Sequence, residues 1–173
     1  MDVATLVIAV LGLLLSVVGL VWQAATYVLS GGRVKVLLKV GAASARGMLT
    51  GAPDRMQGTS MQHLVSQGYT QPIIAVEVRN VGRMAVTVNR WSIQHTRGTS
   101  FIPIGYQIGP ALPYRLEPGA SETWAVDEAP VLSMRDAAMQ TLPAREVLGR
   151  PEGLFAAVEL GDGRTCESRE TLT

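Results

Sequence analysis

Cys166 is the only thiol in the chain, and His63 and His95 are the only imidazoles. Nucleophilic or metal chemistry therefore has three side chains of these types to draw on. A catalytic thiol needs a neighbour that lowers its pKa, usually a histidine or another cation. Neither histidine lies near Cys166 along the chain. The β-pattern there puts Cys166 on one strand face with Arg164 and Ser168, which suits an inert thiol behaving as a small hydrophobe. A closed zinc site calls for His-x-x-x-His or Cys-x-x-Cys spacing, and neither occurs. Gly161-Asp162-Gly163 has the flavour of a calcium loop but lacks carboxylates at the alternate positions such loops require, and a hairpin turn accounts for it. No glycine-rich phosphate cradle and no Gly-x-Ser-x-Gly elbow is present. The expectation is no catalytic, cofactor-binding or metal-binding residue, hence no enzyme; a membrane-tethered hydrolase using Cys166 is the least favoured alternative.

Two other sets of residues have informative spacing. Between Val3 and Leu29, the aromatic Trp22 and Tyr27 aside, every polar residue and every glycine falls on one 4-3-4-3 stripe: Thr5, Gly12, Ser16, Gly19, Gln23 and Thr26, with Ala9 filling the remaining step. Small residues on one helix face let backbones approach, and Ser, Thr and Gln can hydrogen-bond across the contact. The 3.5-residue period favours a left-handed crossing. The alternative is that the hydroxyls bond back to their own helix carbonyls and face lipid. The stripe predicts self-association or packing on another membrane helix. The second set is Arg33, Lys35, Lys39 and Arg46, four cations that precede the first following acid, Asp54. Close to a membrane each contributes ~1 kcal/mol of attraction to anionic lipid. Otherwise they fix topology, or form a solvated strand face.

The element that must carry the stripe is a membrane span. No charged side chain occurs from Val3 to Gly32. Val3–Leu29 as helix is about 40 Å long, against a hydrocarbon core of ~30 Å, so Trp22 and Tyr27 are expected near the headgroups. A cleaved signal peptide has a basic start and an apolar core of only about 7–15 residues; here the start carries Asp2 and the run is about twice too long. The positive-inside rule then places the N-terminus outside and residues 33–173 in the cytoplasm, at a cell (inner) membrane. The lone cysteine agrees with that side, and Asn80 and Asn89 begin no glycosylation sequon.

Removing the anchor, 1–32, leaves a domain, 33–173, large enough for one core. A net charge of +1 advertises no nucleic-acid face. With 18 glycines, 9 prolines and 5% aromatics, short strands joined by many turns fit better than a helical bundle. Arg33–Val40 alternates as a strand, Val34, Val36, Leu38 and Val40 on one face and the basic residues on the other. Residues 41–71, rich in Gly, Ala and Ser with Met48, Met56 and Met61, read as a long insertion loop. It holds a possible short helix near Ser60–Ser66 stopped by Gly68, and serves either as an adaptable partner surface or as a disordered insertion. From Pro72, Ile74, Val76 and Val78 point one way and Glu77 and Arg79 the other. Asn80-Val-Gly-Arg is a turn in which Gly82 can supply positive φ. Val86 and Val88 have opposite parity to Trp91 and Ile93, which predicts a bulge near Asn89–Arg90. Residues 96–113 read as loop with one short strand, Glu117-Pro-Gly as a type II turn, and Ser121–Asp127 as a strand with Trp124 and Val126 inward. Residues 127–142 read as a crossover helix capped by Asp127 or Ser133 and ended by Pro143. Leu154–Leu160 and Thr165–Arg169 form a hairpin. Six or seven short antiparallel strands argue a mainly-β sandwich.

The runs VEVRNVGRMAVTV, LPYRLEPGASETW and FAAVELGDGRTCES resemble those of uncharacterised bacterial single-pass membrane proteins that carry an immunoglobulin-like β-sandwich behind an N-terminal helix. The likeness covers about residues 72–170 without the crossover helix. It implies an immunoglobulin-like fold, with Trp91 as the tryptophan between the sheets and the paired cysteines of antibody-type domains missing, and it implies no chemistry. The functional expectation is a membrane-anchored, non-enzymatic interaction or adaptor protein whose partners are membrane lipid and a second copy of itself or another membrane protein. An extracytoplasmic envelope or secretion-associated binding domain is the alternative.

Overall fold

The structure is a computed structural model and describes residues 2–56, 59–143 and 150–173. Helix α1 runs Val3–Ser30, and every side chain described in it is exposed. Its segment Val3–Ala24, at mean hydropathy 2.8, is long and apolar enough to span a membrane. The charge-free run thus forms one unbroken helix. It ends at Gly31, whose extended backbone (φ −60°, ψ 156°) sends the chain directly into the first strand.

The strands and two further helices follow in the order β1 (Val34–Ser44), β2 (Gly47–Gly51), α2 (Thr59–Ser66), β3 (Gln71–Asn80), β4 (Val86–His95), β5 (Ser100–Phe101), β6 (Tyr114–Leu116), β7 (Ser121–Asp127), α3 (Glu128–Thr141), β8 (Leu154–Leu160) and β9 (Thr165–Glu167). They build two antiparallel sheets, one ordered β2-β1-β3-β7, the other β5-β4-β8-β9 with β6 also on β4. One core lies between them. Val36, Leu38, Ile74, Val76, Val78 and Trp124 come from the first sheet, and Val88, Trp91, Ile93, Leu116, Val158 and Leu160 from the second. Both tryptophans are fully buried and their indole N–H groups are satisfied, Trp91 by the Gln107 side chain (2.9 Å) and Trp124 by the Pro110 carbonyl (2.9 Å). That is the usual condition for burying an indole.

Several local expectations meet their physical cause. The register of β4 against β8 slips between Val88 and Arg90, where the inward parity changes. Gly119 sits at φ +77° and the Ala120 N–H donates to the Glu117 carbonyl (3.0 Å), closing the turn before β7. Asp127 caps α3 by accepting from the Ala129 N–H (3.1 Å), while Ser133 bonds back to the Ala129 carbonyl inside the helix.

Residues 41–71 require correction. The segment is not an insertion loop: β1 continues to Ser44, turns into β2, and α2 follows. Gly41, Ala42 and Ala43 are buried, and Ala43 joins Ile73, Ala75 and Ala125 in a second small core on the outer face of the first sheet. Met48 packs on that cluster and Met56 on the main one, so neither forms an exposed methionine surface. The Met61 side chain lies outside the described residues. The possible helix at Ser60–Ser66 is α2, and Gly68 follows it at φ +87°.

Candidate functional site: the helix–domain junction

Where α1 meets the domain, three separate stretches of chain converge on Gly31-Gly32-Arg33. The first is the β3–β4 turn. Val81 and Gly82 both donate their N–H to the Arg33 carbonyl (2.8 and 3.1 Å). Gly82 does not take positive φ, contrary to the turn reading; its glycine is needed for space. A Cβ there would collide with the Arg33 nitrogen and lie 2.6 Å from the Gly31 carbonyl oxygen. The turn is braced by Asn80, which is fully buried. Its amide nitrogen donates to the Met84 and Leu116 carbonyls (2.8 and 3.0 Å), and its amide oxygen accepts from the Gly82 N–H (3.0 Å). Every polar atom of this buried amide is thereby used.

The second stretch is the β8–β9 turn. Asp162 accepts from the Arg164 backbone N–H (3.0 Å) and from its Nε (2.7 Å), and Arg164 Nη2 reaches back to donate to the Gly32 carbonyl (2.9 Å). The hydrogen bond from Arg164 holds the Asp162 carboxyl below the usual range. The calcium-loop composition of Gly161-Asp162-Gly163 is thus spent on a turn with Gly163 at φ +82°. Thirdly, Gly32 abuts the start of β4, where a Cβ would run into the Val86 side chain. Between the two turns opens a recess of about 330 Å³ bordered by Gly32, Met84, Thr87, Gly161 and Arg164. Its ionised lining groups, Asp162 and Arg164, are engaged with each other, so its chemistry is that of a joint.

The four membrane-surface cations proposed from sequence do not stay together. Arg33 is at the junction and exposed, and Lys35 beside it is exposed. Lys39 is ion-paired with Glu77, which also accepts from Arg79 Nη2 (2.7 Å). Burial pushes the Glu77 carboxyl up, but the bonds and charges of Lys39 and Arg79 outweigh it and leave the pKa lowered. Arg46 lies in the β1–β2 turn, the full length of β1 away from Arg33, about 35 Å at strand rise.

On the stripe, Ser16 Oγ donates to the Gly12 carbonyl (2.8 Å) and Thr26 Oγ1 to the Trp22 carbonyl (2.7 Å). These hydroxyls are satisfied within their own helix. Gly12 and Gly19 have open space where a side chain would be, and Thr5, Ala9 and Gln23 are exposed with them.

Cys166 is half-buried opposite Val158, whereas His95 pairs with Leu154 on the far part of β8, roughly 13 Å along the sheet. Burial pushes the Cys166 thiol up, with Arg164 pulling it down and Asp162 pushing it up. His95 is buried, its Nδ1 accepting from the Arg97 N–H (3.2 Å). His63 is exposed on α2, a ring nitrogen 3.0 Å from Gln67 Nε2. Thiol and imidazole do not meet as a dyad in this arrangement. Among the described residues, no three His, Cys, Asp or Glu side chains gather.

The junction residues Val81, Gly82 and Arg164 were not singled out as functional by the sequence. Their signal was the pair of turn motifs, Asn-x-Gly and Gly-Asp-Gly, whose meeting at one end of the domain only the topology reveals. No protein-family model matches the chain, and no curated protein matches it.

Proposed function

We propose that the chain is a single-pass membrane protein whose β-domain is mounted directly on the bilayer surface as a non-enzymatic interaction module, associating laterally through α1. The observation that carries this reading is α1 itself. It exposes large apolar side chains along its length outside the small-and-polar stripe, buries none of the Val3–Ala24 stretch against its own domain, and is joined to that domain by only Gly31 and Gly32. An apolar surface of that extent in water is an aggregation site; in lipid it is an anchor. The order β1-β3-β7 in one sheet and β4-β8-β9 in the other supports an immunoglobulin-like arrangement, since it reproduces the A-B-E and C-F-G neighbours of that sandwich.

Basic residues after the span and none before it support a cytoplasmic domain with the N-terminus outside. Alkaline phosphatase fused after Thr173 is expected to be inactive in cells. Active enzyme there reverses the topology and favours the extracytoplasmic binding domain instead. The open positions Gly12 and Gly19 support lateral packing. Gly12→Leu with Gly19→Leu is expected to abolish self-association in a membrane two-hybrid assay, and an unchanged signal removes the helix from the interface.

A further inference from the structure

The helix-proximal end of the domain carries a feature that neither the anchor nor the fold requires. The β3–β4 turn exposes two large apolar side chains, Val81 (56% exposed) and Met84 (58%), with the exposed Arg83 between them. Among the described residues Arg83 makes no ion pair. A solvated turn of this kind is ordinarily polar. From this we infer that the Val81–Met84 turn is a second membrane contact, docked in the anionic headgroup layer of the same bilayer that α1 crosses. The inference rests on the reading of α1 as a span.

Three observations favour that occupant. The first is reach. The turn is hydrogen-bonded to Arg33, three residues beyond the end of α1. A helix of 28 residues rises ~42 Å, about 12 Å more than the hydrocarbon core. Centred, it puts Tyr27 at the edge of that core and draws Trp22 about 7 Å inside it rather than to the headgroups. Ser30 is left roughly 6 Å outside, within the headgroup layer. The second is charge. Around the turn Asp162 is taken up by Arg164 and Glu167 by Arg150. Glu117, in the neighbouring turn, is paired with Arg115. Arg33, Lys35, Arg83 and Arg169 then stand exposed against two half-buried carboxylates, Glu122 and Glu170, a cationic balance that complements anionic lipid. The third is the combination itself: apolar tips flanking an arginine match the apolar–cationic composition of surfaces that lie in the membrane interface.

The test uses the full chain in nanodiscs containing anionic phosphatidylglycerol, with a fluorophore on single cysteines in a Cys166→Ser background. Labels are placed at Met84→Cys, at Ala45→Cys in the far β1–β2 turn, and at Leu14→Cys in mid-helix. A headgroup-nitroxide phospholipid is expected to quench the label at 84 and not that at 45. Quenching at 84 is expected to be lost in Val81→Asp/Arg83→Glu, two exposed changes that leave thermal unfolding unaltered. Quenching at 84 that survives this double change overturns the proposal, because the tether alone then explains the proximity. If 84 is as unquenched as 45 while a chain-nitroxide lipid quenches the label at 14, the span stands and the docking fails. No quenching at 14 overturns the span, and the docking with it.

Discussion

At Gly82 the constraint is space rather than backbone conformation. Its Cα faces the Arg33 nitrogen and the Gly31 carbonyl oxygen, both main-chain atoms that cannot swing aside. Gly82→Ala is therefore expected to destabilise the domain by about 1–3 kcal/mol, the usual cost of overpacking, seen as a lowered midpoint in denaturant. Gly12→Ala, which enters open space, is expected to leave the same midpoint unchanged. His95 supplies a second residue-scale prediction. Burial pushes its pKa down, Glu152 opposes this, and Arg97 and Arg135 add to it. The folded chain then binds a proton less readily than the unfolded one, so stability is full above pH about 6.5 and declines as pH falls below that value. The lowered Glu77 carboxyl contributes in a separate window, its stabilisation lost only as pH falls below the ordinary carboxylate range near 4.5. Thermal melts of the wild type are expected to decline as pH falls below about 6.5, and His95→Gln to flatten that limb alone.

Among the elements, α3 shows how a surface helix is held at both ends by identifiable groups. Asp127 caps its start, and Arg97 closes its end, donating through Nη1 to the Met139 and Leu142 carbonyls (2.8 and 2.6 Å) while pairing with Glu152. A lysine carries its three donors on one nitrogen and cannot reproduce the separate Nε contact to Glu152 and Nη1 contacts to the two carbonyls. Arg97→Lys is expected to cost about 1–3 kcal/mol and to speed amide exchange in the last turn of α3 before that of β4. The cap was readable from the chain because Asp127 precedes a helical run that Pro143 stops; Arg97 was not, because its partners lie 42 and 45 positions away. The bulge in β4 was equally readable, since Val88 and Trp91 cannot face one core without it. The β1–β2 hairpin was hidden for a physical reason. Gly41, Ala42 and Ala43 are buried regardless of face, so no alternation marks them, and small residues there let β2 approach so closely that a Cβ on Gly41 would collide with the Leu49 carbonyl. Lys39 looked solvated because its partner Glu77 stands diagonally across β3, a relation fixed by register.

For the molecule as a whole, the junction predicts that the hinge between α1 and the domain is stiffer than a free Gly-Gly linker. A bare Gly-Gly linker is flexible, but here its domain-side flank, Arg33, is tied by two backbone bonds to the β3–β4 turn, and Gly32 within it is tied by Arg164 to the β8–β9 turn. Of these ties only Arg164 is a side chain, so it is the one that substitution can release without disturbing the fold. Spin labels at Val21→Cys and Asn89→Cys, in a Cys166→Ser background, read the helix–domain distance by dipolar spectroscopy. Arg164→Ala is expected to broaden that distance distribution while leaving domain stability within about 0.5 kcal/mol, as for an exposed position. Asp162→Ala is expected to broaden it less, since the guanidinium loses its guide and keeps its acceptor. The pH dependence follows from the same pair. Because the bond from Arg164 lowers the Asp162 pKa, the guide stays ionised through the ordinary carboxylate range, and the wild-type distribution is expected to widen only below about pH 3.8. A distribution that Arg164→Ala leaves narrow assigns the rigidity to Val81 and Gly82 alone, and the β8–β9 turn then plays no part in mounting the domain.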